Sequence, residues 1–314
     1  MPNFDLCRDS LDGLSVGDAL GAQFFVPGTS FAELEAGRPP QRPWPWTDDT
    51  EMACTVVTEL HADGPIDQDR LATAFAQRYE PYRGYGPGSI VLLRQIRDGA
   101  SWRDVASAAF DGQGSMGNGA AMRVAPLGAF HTGDHRTAAL EAMRSAEVTH
   151  AHPEAILGAA AVAVAAAEAG RARLANERPE PTLLLDAVLD VIVTGQVRSG
   201  VERARRLLGV SVAEAGYALG NGARVLAQDT VPFTLWVAAT FRHDYPRAII
   251  ACVEAGGDVD TTAAIVGGIV AAYTGREGIP DEWLAAREPL PDFVGITQPA
   301  TRAAGADQPG RRAD

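Results

Sequence analysis

Apolar residues recur every three to four positions along most of the chain, which is the period of an α-helix. No stretch sustains, over several residues, the alternation of apolar and polar positions that is typical of a half-buried strand. The pattern therefore predicts an all-α fold. Amphipathic helices are predicted at residues 68–79, 89–97, 102–110, 137–148 and 183–193.

Two further segments, 154–169 and 261–273, are apolar on most sides rather than along one stripe. Helices of this kind are buried inside a bundle, so both are predicted to be core helices. The valine-rich stretch 188–193 would suit a strand by itself, but its helical flanks favour a helix. Because neither a repeat nor a linker divides the chain, we expect one domain over residues 1–294, followed by a polar, disordered tail at 295–314.

Glycine and proline interrupt the helical pattern at residues 37–46, 82–88, 112–119 and 256–257. The first of these segments contains four prolines and cannot be helical, since proline lacks the backbone N–H that a helix needs. All four segments are predicted loops. The residues best suited to catalysis or ligand binding lie within these loops or directly after them.

Two acidic clusters follow predicted loops, Thr47-Asp48-Asp49 and Asp258-Val259-Asp260-Thr261. Asp and Thr at a helix start are common capping residues, and capping is one interpretation of each aspartate taken alone. Neighbouring carboxylates, however, repel each other unless a cation neutralises them. Carboxylate and hydroxyl oxygens together suit a hard cation such as Mg²⁺ or Mn²⁺, and two adjacent clusters would supply enough oxygens for two ions.

The glycine loop, residues 112–119, could bring backbone N–H groups close to an anion, although such a loop is also an ordinary turn. No predicted strand precedes it, so it is not a dinucleotide-binding fingerprint. His150 and His152 stand two residues apart just before Pro153, a spacing that does not form a helical metal pair. Each could be a packed or capping residue, or a donor to a ligand phosphate or ribose.

Composition narrows the function classes. Lys and Arg number 27 against 40 Asp and Glu, so the net charge of −13 argues against holding nucleic acid by phosphate neutralisation. The three cysteines are widely spaced, so neither a disulfide framework nor a thiolate zinc site is expected. The sequence shows no recognisable secretion signal or membrane span, and we expect a cytoplasmic, monomeric protein.

Short motifs follow one another in a fixed order between residues 6 and 285. They are DGLSVGDALG at 12–21, WTDDT at 46–50, RGYG at 83–86, GSMGNGAAMR at 114–123, THAHP at 149–153, GNG at 220–222, VPF at 231–233, GGDVDT at 256–261, IP at 279–280 and Trp283. In this order they resemble the ADP-ribosylglycohydrolase family, the relatives of dinitrogenase reductase-activating glycohydrolase and of the human ADP-ribosylhydrolases.

The resemblance implies a single compact orthogonal helical bundle with a cleft for two Mg²⁺ or Mn²⁺ ions. It implies metal ligation by Thr47, Asp48, Asp49, Asp258, Asp260 and Thr261. Among these, Asp48, Asp49 and Asp260 would be catalytic. The implied reaction is hydrolysis at the anomeric carbon of the distal ribose, which frees ADP-ribose from its acceptor.

The resemblance also implies the contacts of an ADP-ribose ligand. The glycine loop would cradle the diphosphate, His150 would touch the phosphate or the proximal ribose, and Phe110 and Met116 would stack on adenine. The full set of implied ligand-binding residues is Gly84, Tyr85, Phe110, Gly114, Ser115, Met116, Gly117, Asn118 and His150. The motifs at 83–86 and 114–118 look more like the branch acting on serine-linked ADP-ribose, while arginine-linked, acetyl-linked and nucleic-acid-linked substrates remain open, the last being disfavoured by the acidic charge.

One position departs from the family pattern. Many members carry a glutamate shortly after the GDALG motif, where it reaches the metal centre, and here Phe25 holds that position. Glu33, Glu35 or one of the aspartates could take the role, or the metals and their water could suffice. The alternative function is a non-catalytic ADP-ribose reader or a structural protein. Phe24 and Phe25 could form an acceptor pocket or belong to the core.

Overall fold

A computed structural model describes residues 3–62 and 64–295 of the chain. Within these residues the backbone forms α-helices joined by loops and short 3₁₀ turns, without a β-strand, which confirms the predicted all-α fold. The helices are α1 (Phe4–Ala22), α2 (Phe31–Glu35), α3 (Asp48–Glu59), α4 (Gln68–Arg78), α5 (Pro87–Arg97), α6 (Trp102–Gly112), α7 (Ala125–Phe130), α8 (His135–Glu147), α9 (Pro153–Leu174), α10 (Pro181–Val191), α11 (Gly195–Arg206), α12 (Val212–Leu219), α13 (Ala227–Thr240), α14 (Tyr245–Ala255), α15 (Val259–Thr274) and α16 (Asp281–Ala286).

Every helix predicted from periodicity is present, with ends that differ by a few residues. The strand alternative for 188–193 is wrong, because α10 continues to Val191 before the chain turns extended at Ile192. The predicted helix at 102–110 is correct only in its first part, since helical backbone angles end before Ala109. The predicted tail falls almost wholly on residues 296–314, which lie outside the described residues, so it stays a prediction.

Helix α9 forms part of the core. By length and composition alone its 22 residues could cross a membrane, but 83% of its most apolar window is buried inside the protein. Its alanines and valines pack in the main hydrophobic cluster of buried residues. This helix confirms the predicted core helix at 154–169, and Pro153 at its first position supplies the φ angle that a helix start requires.

Helices α1 and α15 pack against each other so closely that their backbones touch. A Cβ atom on Gly17 would lie 2.1 Å from the carbonyl oxygen of Ala263, and one on Gly13 would lie 2.4 Å from that of Gly267. Near the end of α1, a Cβ on Gly21 would lie 2.7 Å from the Cα of Asp260. The two helices are therefore antiparallel, and the end of α1 lies beside the start of α15.

We expect Gly17→Ala to lower the free energy of unfolding by about 3 kcal/mol or more, because the methyl group would collide with the backbone of α15 rather than with a movable side chain. Urea denaturation followed by circular dichroism measures the change. Gly88→Ala is the matched control, since a Cβ at Gly88 meets no atom within 4 Å. An equal loss in both variants would contradict the close approach of α1 and α15.

Candidate active site

The proline-rich loop at 37–46 delivers the first acidic cluster to the start of α3. Backbone hydrogen bonds join Trp44 to the end of α16 and the segment after it: the Trp44 N–H donates to the Ala286 carbonyl at 2.7 Å, and the Glu288 N–H donates to the Trp44 carbonyl at 2.9 Å. Arg83 packs its guanidinium over the Trp46 ring, 3.3 Å from the ring centroid, and donates to the Trp46 carbonyl and to Glu288. These contacts fix the point at which Thr47 becomes the N-cap of α3.

Asp18, on α1, ties that cap to the rest of the site. Its carboxylate accepts hydrogen bonds from the backbone N–H groups of Thr47, at 2.9 Å, and Thr50, at 3.1 Å, and from both threonine hydroxyls. Sequence reasoning did not single out Asp18, although it stands in the motif at 12–21. Its signal was that it is one of two carboxylates, with Asp12, in a segment that is otherwise apolar or small.

Three carboxylates converge beside this cap. Asp18, Asp49 and Asp260 each offer an oxygen, and these oxygens lie within 4.8 Å of one another; we call these residues the carboxylate cluster. One oxygen of Asp49, Oδ1, is buried without a hydrogen-bond partner among the described residues. The first and second acidic motifs, which are far apart in the sequence, therefore meet at one site.

Burial raises the pKa of every carboxyl in the cluster, and neighbouring carboxylates raise those of Asp49 and Asp260 further. Burial raises the pKa of Asp18 to about 6, against four hydrogen bonds that favour its charged form. Burial, and then the charges of Asp18 and Asp260, hold the pKa of Asp49 well above its usual range. For Asp260, burial and the neighbouring Asp258 raise the pKa in the same direction. The site thus concentrates negative charge that a cation would stabilise.

Asp48 lies next to the cluster, on the cavity side of α3. Burial and the charge of Asp18 raise its pKa to about 8. The backbone of Gly84 passes close by, with its Cβ position 3.6 Å from the Asp48 carboxylate. Gly84 has a φ of +92°, a conformation that a side chain would strain.

The second acidic motif is held by the glycine loop and by the GNG motif. Asn118 donates from its side-chain amide to Asp258 at 2.7 Å and to Thr230 at 3.0 Å. The Asp258 N–H donates to the carbonyl of Asn221, and a Cβ on Gly222 would lie 2.7 Å from that of Asp258. Asn118 therefore positions a carboxylate, in addition to lying in the cavity wall.

A cavity of about 1200 Å³ opens from the two acidic motifs. Its walls come from the start of α5, from α6, from the glycine loop and from residues 224–226. Five aspartates face it, whereas Arg224 is the one Lys or Arg among its described lining residues. The predicted site residues in its lining are Asp48, Asp49, Gly84, Phe110, Ser115, Met116, Gly117, Asn118, His150, Asp258, Asp260 and Thr261.

Three predicted site residues lie behind this lining. The Thr47 hydroxyl donates to Asp18 at 2.8 Å, so its single hydrogen does not also join the Asp49 oxygen 3.0 Å away. The Tyr85 hydroxyl donates to Glu51, and its ring packs edge-on against Tyr79. Gly114 faces the backbone of residues 151–152, where a Cβ would lie 2.6 Å from the N–H nitrogen of His152.

Strained backbone borders the cavity. Phe110 and Asp111 have φ angles of +53° and +57°, and the sequence pattern had suggested a regular helix through Phe110. This kink leaves the Phe110 side chain 66% exposed at the cavity rim. Val225, in the facing loop, has a φ of +56°, which is costly for a β-branched residue. Both aromatic and aliphatic rim residues are thus placed by unfavourable backbone angles.

The two histidines have different environments. His152 caps α9, because its Nδ1 accepts a hydrogen bond from the N–H of Glu154 at 3.1 Å. His150 lines the cavity beside the glycine loop. Burial, and then the nearby charge of Arg123, lower the pKa of His150 to about 3, so this imidazole is neutral at physiological pH.

Phe25 lies just beyond the end of α1 and its side chain is 56% exposed, while its neighbour Phe24 packs against the core. Core packing therefore accounts for Phe24 and not for Phe25. Glu33 forms an exposed ion pair with Arg38, and Glu35 is also exposed. Neither glutamate is among the described residues that line the cavity, and neither is Phe25.

Comparison with known proteins agrees with this architecture. A family model described as ADP-ribosylglycohydrolase matches residues 2–309. ADP-ribosylhydrolase ARH3 of Mus musculus is 31% identical over 320 residues, covering 88% of this chain and 85% of the relative. ADP-ribosylarginine hydrolase Tri1 of Pseudomonas putida (strain GB-1) is 25% identical, covering 89% of this chain and 73% of that protein.

A solved structure titled ADP-ribosylglycohydrolase-related protein complex superimposes with a TM-score of 0.65 at 26% identity, covering 93% of this chain and 95% of the other. The family model spans nearly the whole sequence, including both acidic motifs and the glycine loop that line the cavity described above. The chain belongs to the ADP-ribosylglycohydrolase family.

Proposed function

We propose that this protein is a metal-dependent hydrolase that cleaves the glycosidic bond between ADP-ribose and its acceptor and releases ADP-ribose. The observation that carries the proposal is the carboxylate cluster, two of whose members, Asp49 and Asp260, line a cavity of about 1200 Å³. A cavity of this size can enclose a nucleotide-sized ligand. The hydrolases named ARH3 and Tri1 that resemble this chain support the same reaction class.

The residues of the site fit a hard divalent cation. Their donors are carboxylate and hydroxyl oxygens, which Mg²⁺ and Mn²⁺ prefer. Asp49 Oδ1 is buried with no partner among the described residues, and such an atom needs either a proton or a cation. We propose that Thr47, Asp48, Asp49, Asp258, Asp260 and Thr261 hold two Mg²⁺ or Mn²⁺ ions, with Asp18 as an additional carboxylate beside them.

Bound ions of this kind would supply positive charge that orients the ribose hydroxyls and lowers the pKa of a water. Asp48, Asp49 and Asp260 are the proposed catalytic residues, because their carboxylates face the cavity where the anomeric carbon would lie. Asp48 holds a proton at neutral pH when no cation is present, and it would release that proton on ligation. Asn118 keeps Asp258 oriented throughout.

The chain also offers contacts for the rest of ADP-ribose. We propose that the backbone of Ser115 and Gly117 approaches the diphosphate, since glycine allows an anion to come close. Phe110 and Met116 supply a ring and a thioether against which adenine can pack. Arg224 is the cationic side chain available at this wall, although its guanidinium also pairs with Asp229 at 2.9 Å.

The acceptor is the least determined part of the substrate. We propose serine- or arginine-linked protein ADP-ribose, or a small ADP-ribosyl ester. The RGYG motif does not discriminate among them by itself, because Arg83 is occupied with Trp46 and Glu288. The net charge of −13 disfavours a nucleic-acid acceptor.

A non-catalytic ADP-ribose reader is the second candidate, and Phe25 is the residue that favours it. An exposed phenyl ring can neither bind a cation nor move a proton. The carboxylate cluster argues against this candidate. Repulsion among its buried carboxylates destabilises the fold, and a protein that only binds nucleotide would have no catalytic use for them.

We propose a cytoplasmic monomer that meets ADP-ribosylated substrates in a reducing compartment. The cysteines Cys7, Cys54 and Cys252 are all free and buried, and burial raises the pKa of each thiol. Buried, protonated thiols are resistant to oxidation, and free cysteines are typical of cytoplasmic proteins.

We expect release of free ADP-ribose from one member of a panel of serine-linked, arginine-linked and acetyl-linked ADP-ribose and a modified DNA end, in Mg²⁺ but not in EDTA. Asp260→Asn should lower this rate at least about 100-fold, because a proposed metal ligand is lost. Liquid chromatography of the released nucleotide measures both. Asp190→Asn, an exposed position on α10, is the matched control. Binding of ADP-ribose without release from any substrate would favour the reader.

We expect the metal-free protein to lose stability as the pH rises. The raised pKa values mean that the folded protein binds protons more tightly than the unfolded chain, whose aspartates titrate near pH 3.9. The lowered pKa of His150 acts in the opposite sense up to about pH 6.5, so the free energy of unfolding in EDTA should fall most clearly from about pH 6.5 to about pH 8, as the Asp48 carboxyl ionises.

Asp49→Asn should then be more stable than the wild type in EDTA at pH 8, since one repelling charge is gone. Mg²⁺ at 100 times its dissociation constant should stabilise the wild type by about 2.7 kcal/mol and the variant by much less. Thermal denaturation at both conditions measures these changes, with Asp190→Asn as the charge-matched control. A variant that is less stable than the wild type in EDTA would contradict the predicted repulsion.

We expect Phe25→Glu to retain or increase the rate of ADP-ribose release, because it restores a carboxylate near the end of α1. Stability should change by no more than about 0.5 kcal/mol, since the ring is 56% exposed. Phe25→Gln, which has a similar shape without the charge, separates the effect of the carboxylate from loss of the ring. A fall of more than about 10-fold in both folded variants would show that the ring itself supports the site.

A further inference from the structure

A buried arginine lies behind the cavity wall, in a place that the proposed reaction does not explain. Arg123 is fully buried, and no carboxylate pairs with it among the described residues. Its Nη2 donates to the Ser145 carbonyl at 2.6 Å and to the Thr149 hydroxyl at 3.0 Å, and its guanidinium lies 4.5 Å from the centroid of the Phe75 ring. Burying such a charge is costly, so its contacts need an explanation.

The contact with Thr149 decides where the threonine hydroxyl hydrogen points. A hydroxyl has one hydrogen to donate and two lone pairs to accept with. Since the Arg123 N–H fills one lone pair, the hydroxyl is free to donate, and within the described part of the chain its one neighbouring acceptor is Nδ1 of His150, 2.7 Å away. A protonated Nδ1 could donate to the second lone pair, but the hydroxyl hydrogen would then have no acceptor among the described residues; donation from the hydroxyl to Nδ1 is the arrangement that uses this hydrogen.

The protonation of His150 follows from this hydrogen bond. A neutral imidazole carries one proton, and Nδ1 cannot carry it while accepting from Thr149. In this arrangement the proton is on Nε2. This nitrogen faces the glycine loop, since Cβ atoms on Gly117 and Gly119 would lie 3.3 Å and 3.1 Å from it, and it has no hydrogen-bond acceptor among the described residues.

We propose that Arg123 and Thr149 are positioning residues that lock His150 as a neutral Nε2–H donor, aimed across the glycine loop at an oxygen of the bound nucleotide. The proposal rests on the proposed function for the identity of the ligand, but the chain Arg123–Thr149–His150 is independent of it. In this role His150 donates a hydrogen bond and transfers no proton. Burial beside the Arg123 charge, which lowers the pKa of His150, keeps the donor in the same state across physiological pH.

The protonation state can be measured directly. In a long-range ¹H–¹⁵N spectrum of histidine-labelled protein, with His150 assigned from its absence in His150→Gln, we expect Nε2 protonated and Nδ1 unprotonated between pH 5.5 and pH 8. Thr149→Val should shift the Nδ1 resonance toward that of a nitrogen without a hydrogen bond, and Thr149→Ser should leave it in place. A protonated Nδ1 in the wild type would overturn the proposal.

The positioning role can be tested by a double-mutant cycle. We expect Thr149→Val and His150→Ala each to weaken ADP-ribose binding about 10-fold, measured by calorimetry in Mg²⁺, and the double variant to be no weaker than His150→Ala alone. Thr149→Ser should bind as the wild type does. Thr234→Val, which removes another buried threonine hydroxyl, one that donates to the Val231 carbonyl, is the control for loss of packing.

The two experiments separate the inference from the proposed function. Additive losses in the cycle would show that Thr149 does not act through His150, while leaving ADP-ribose binding intact. A wild-type protein that binds no ADP-ribose would refute the proposed function, and the spectrum of the imidazole would still decide the protonation of His150.

Discussion

The backbone contact between α1 and α15 is the constraint on which the rest of the site depends. Glycines at 13, 17 and 21 let the two helices approach until side chains no longer fit between them. That approach places Asp18, on α1, beside Asp260, at the start of α15. Asp18 in turn holds the cap of α3, so three helix ends are joined through one carboxylate.

This arrangement stores unfavourable energy at the site and offsets it elsewhere. The buried aspartates repel one another, and Phe110, Asp111 and Val225 adopt positive φ angles at the cavity rim. Such features persist only where the surrounding structure fixes them. Here the extensive core around α9 and α15 supplies that stability, and the strained groups surround a single cavity.

Periodicity predicted five amphipathic helices, because their apolar stripes reflect one buried face, but α11 and α14, which are amphipathic too, were not predicted. It did not distinguish α1, whose glycines and aspartates break the stripe for reasons of packing and chemistry. The acidic motifs could be named from local composition, and both reach the cavity. Their convergence with Asp18 could not be derived locally, because it depends on helices from opposite ends of the chain.

For a similar reason, only some of the ligand-binding residues implied by the resemblance line the cavity. Residues in the middle of the glycine loop line the cavity, whereas Gly114 and Tyr85 lie behind it. A motif marks which segments form a site and not which way each side chain points. The kink at Phe110 was equally hidden, since nothing in the residues at 102–110 disfavours a continuous helix.

The antiparallel pairing of α1 with α15 also bears on how the protein is made. Synthesis proceeds from the N-terminus, so the glycine face of α1 emerges long before the helix that covers it. No N-terminal fragment that ends before Asp260 can bring Asp18 and Asp260 together, and the helix that packs on α1 is complete only at Thr274. The site is therefore completed late in translation, and a truncated chain would expose the face of α1 without acquiring the chemistry.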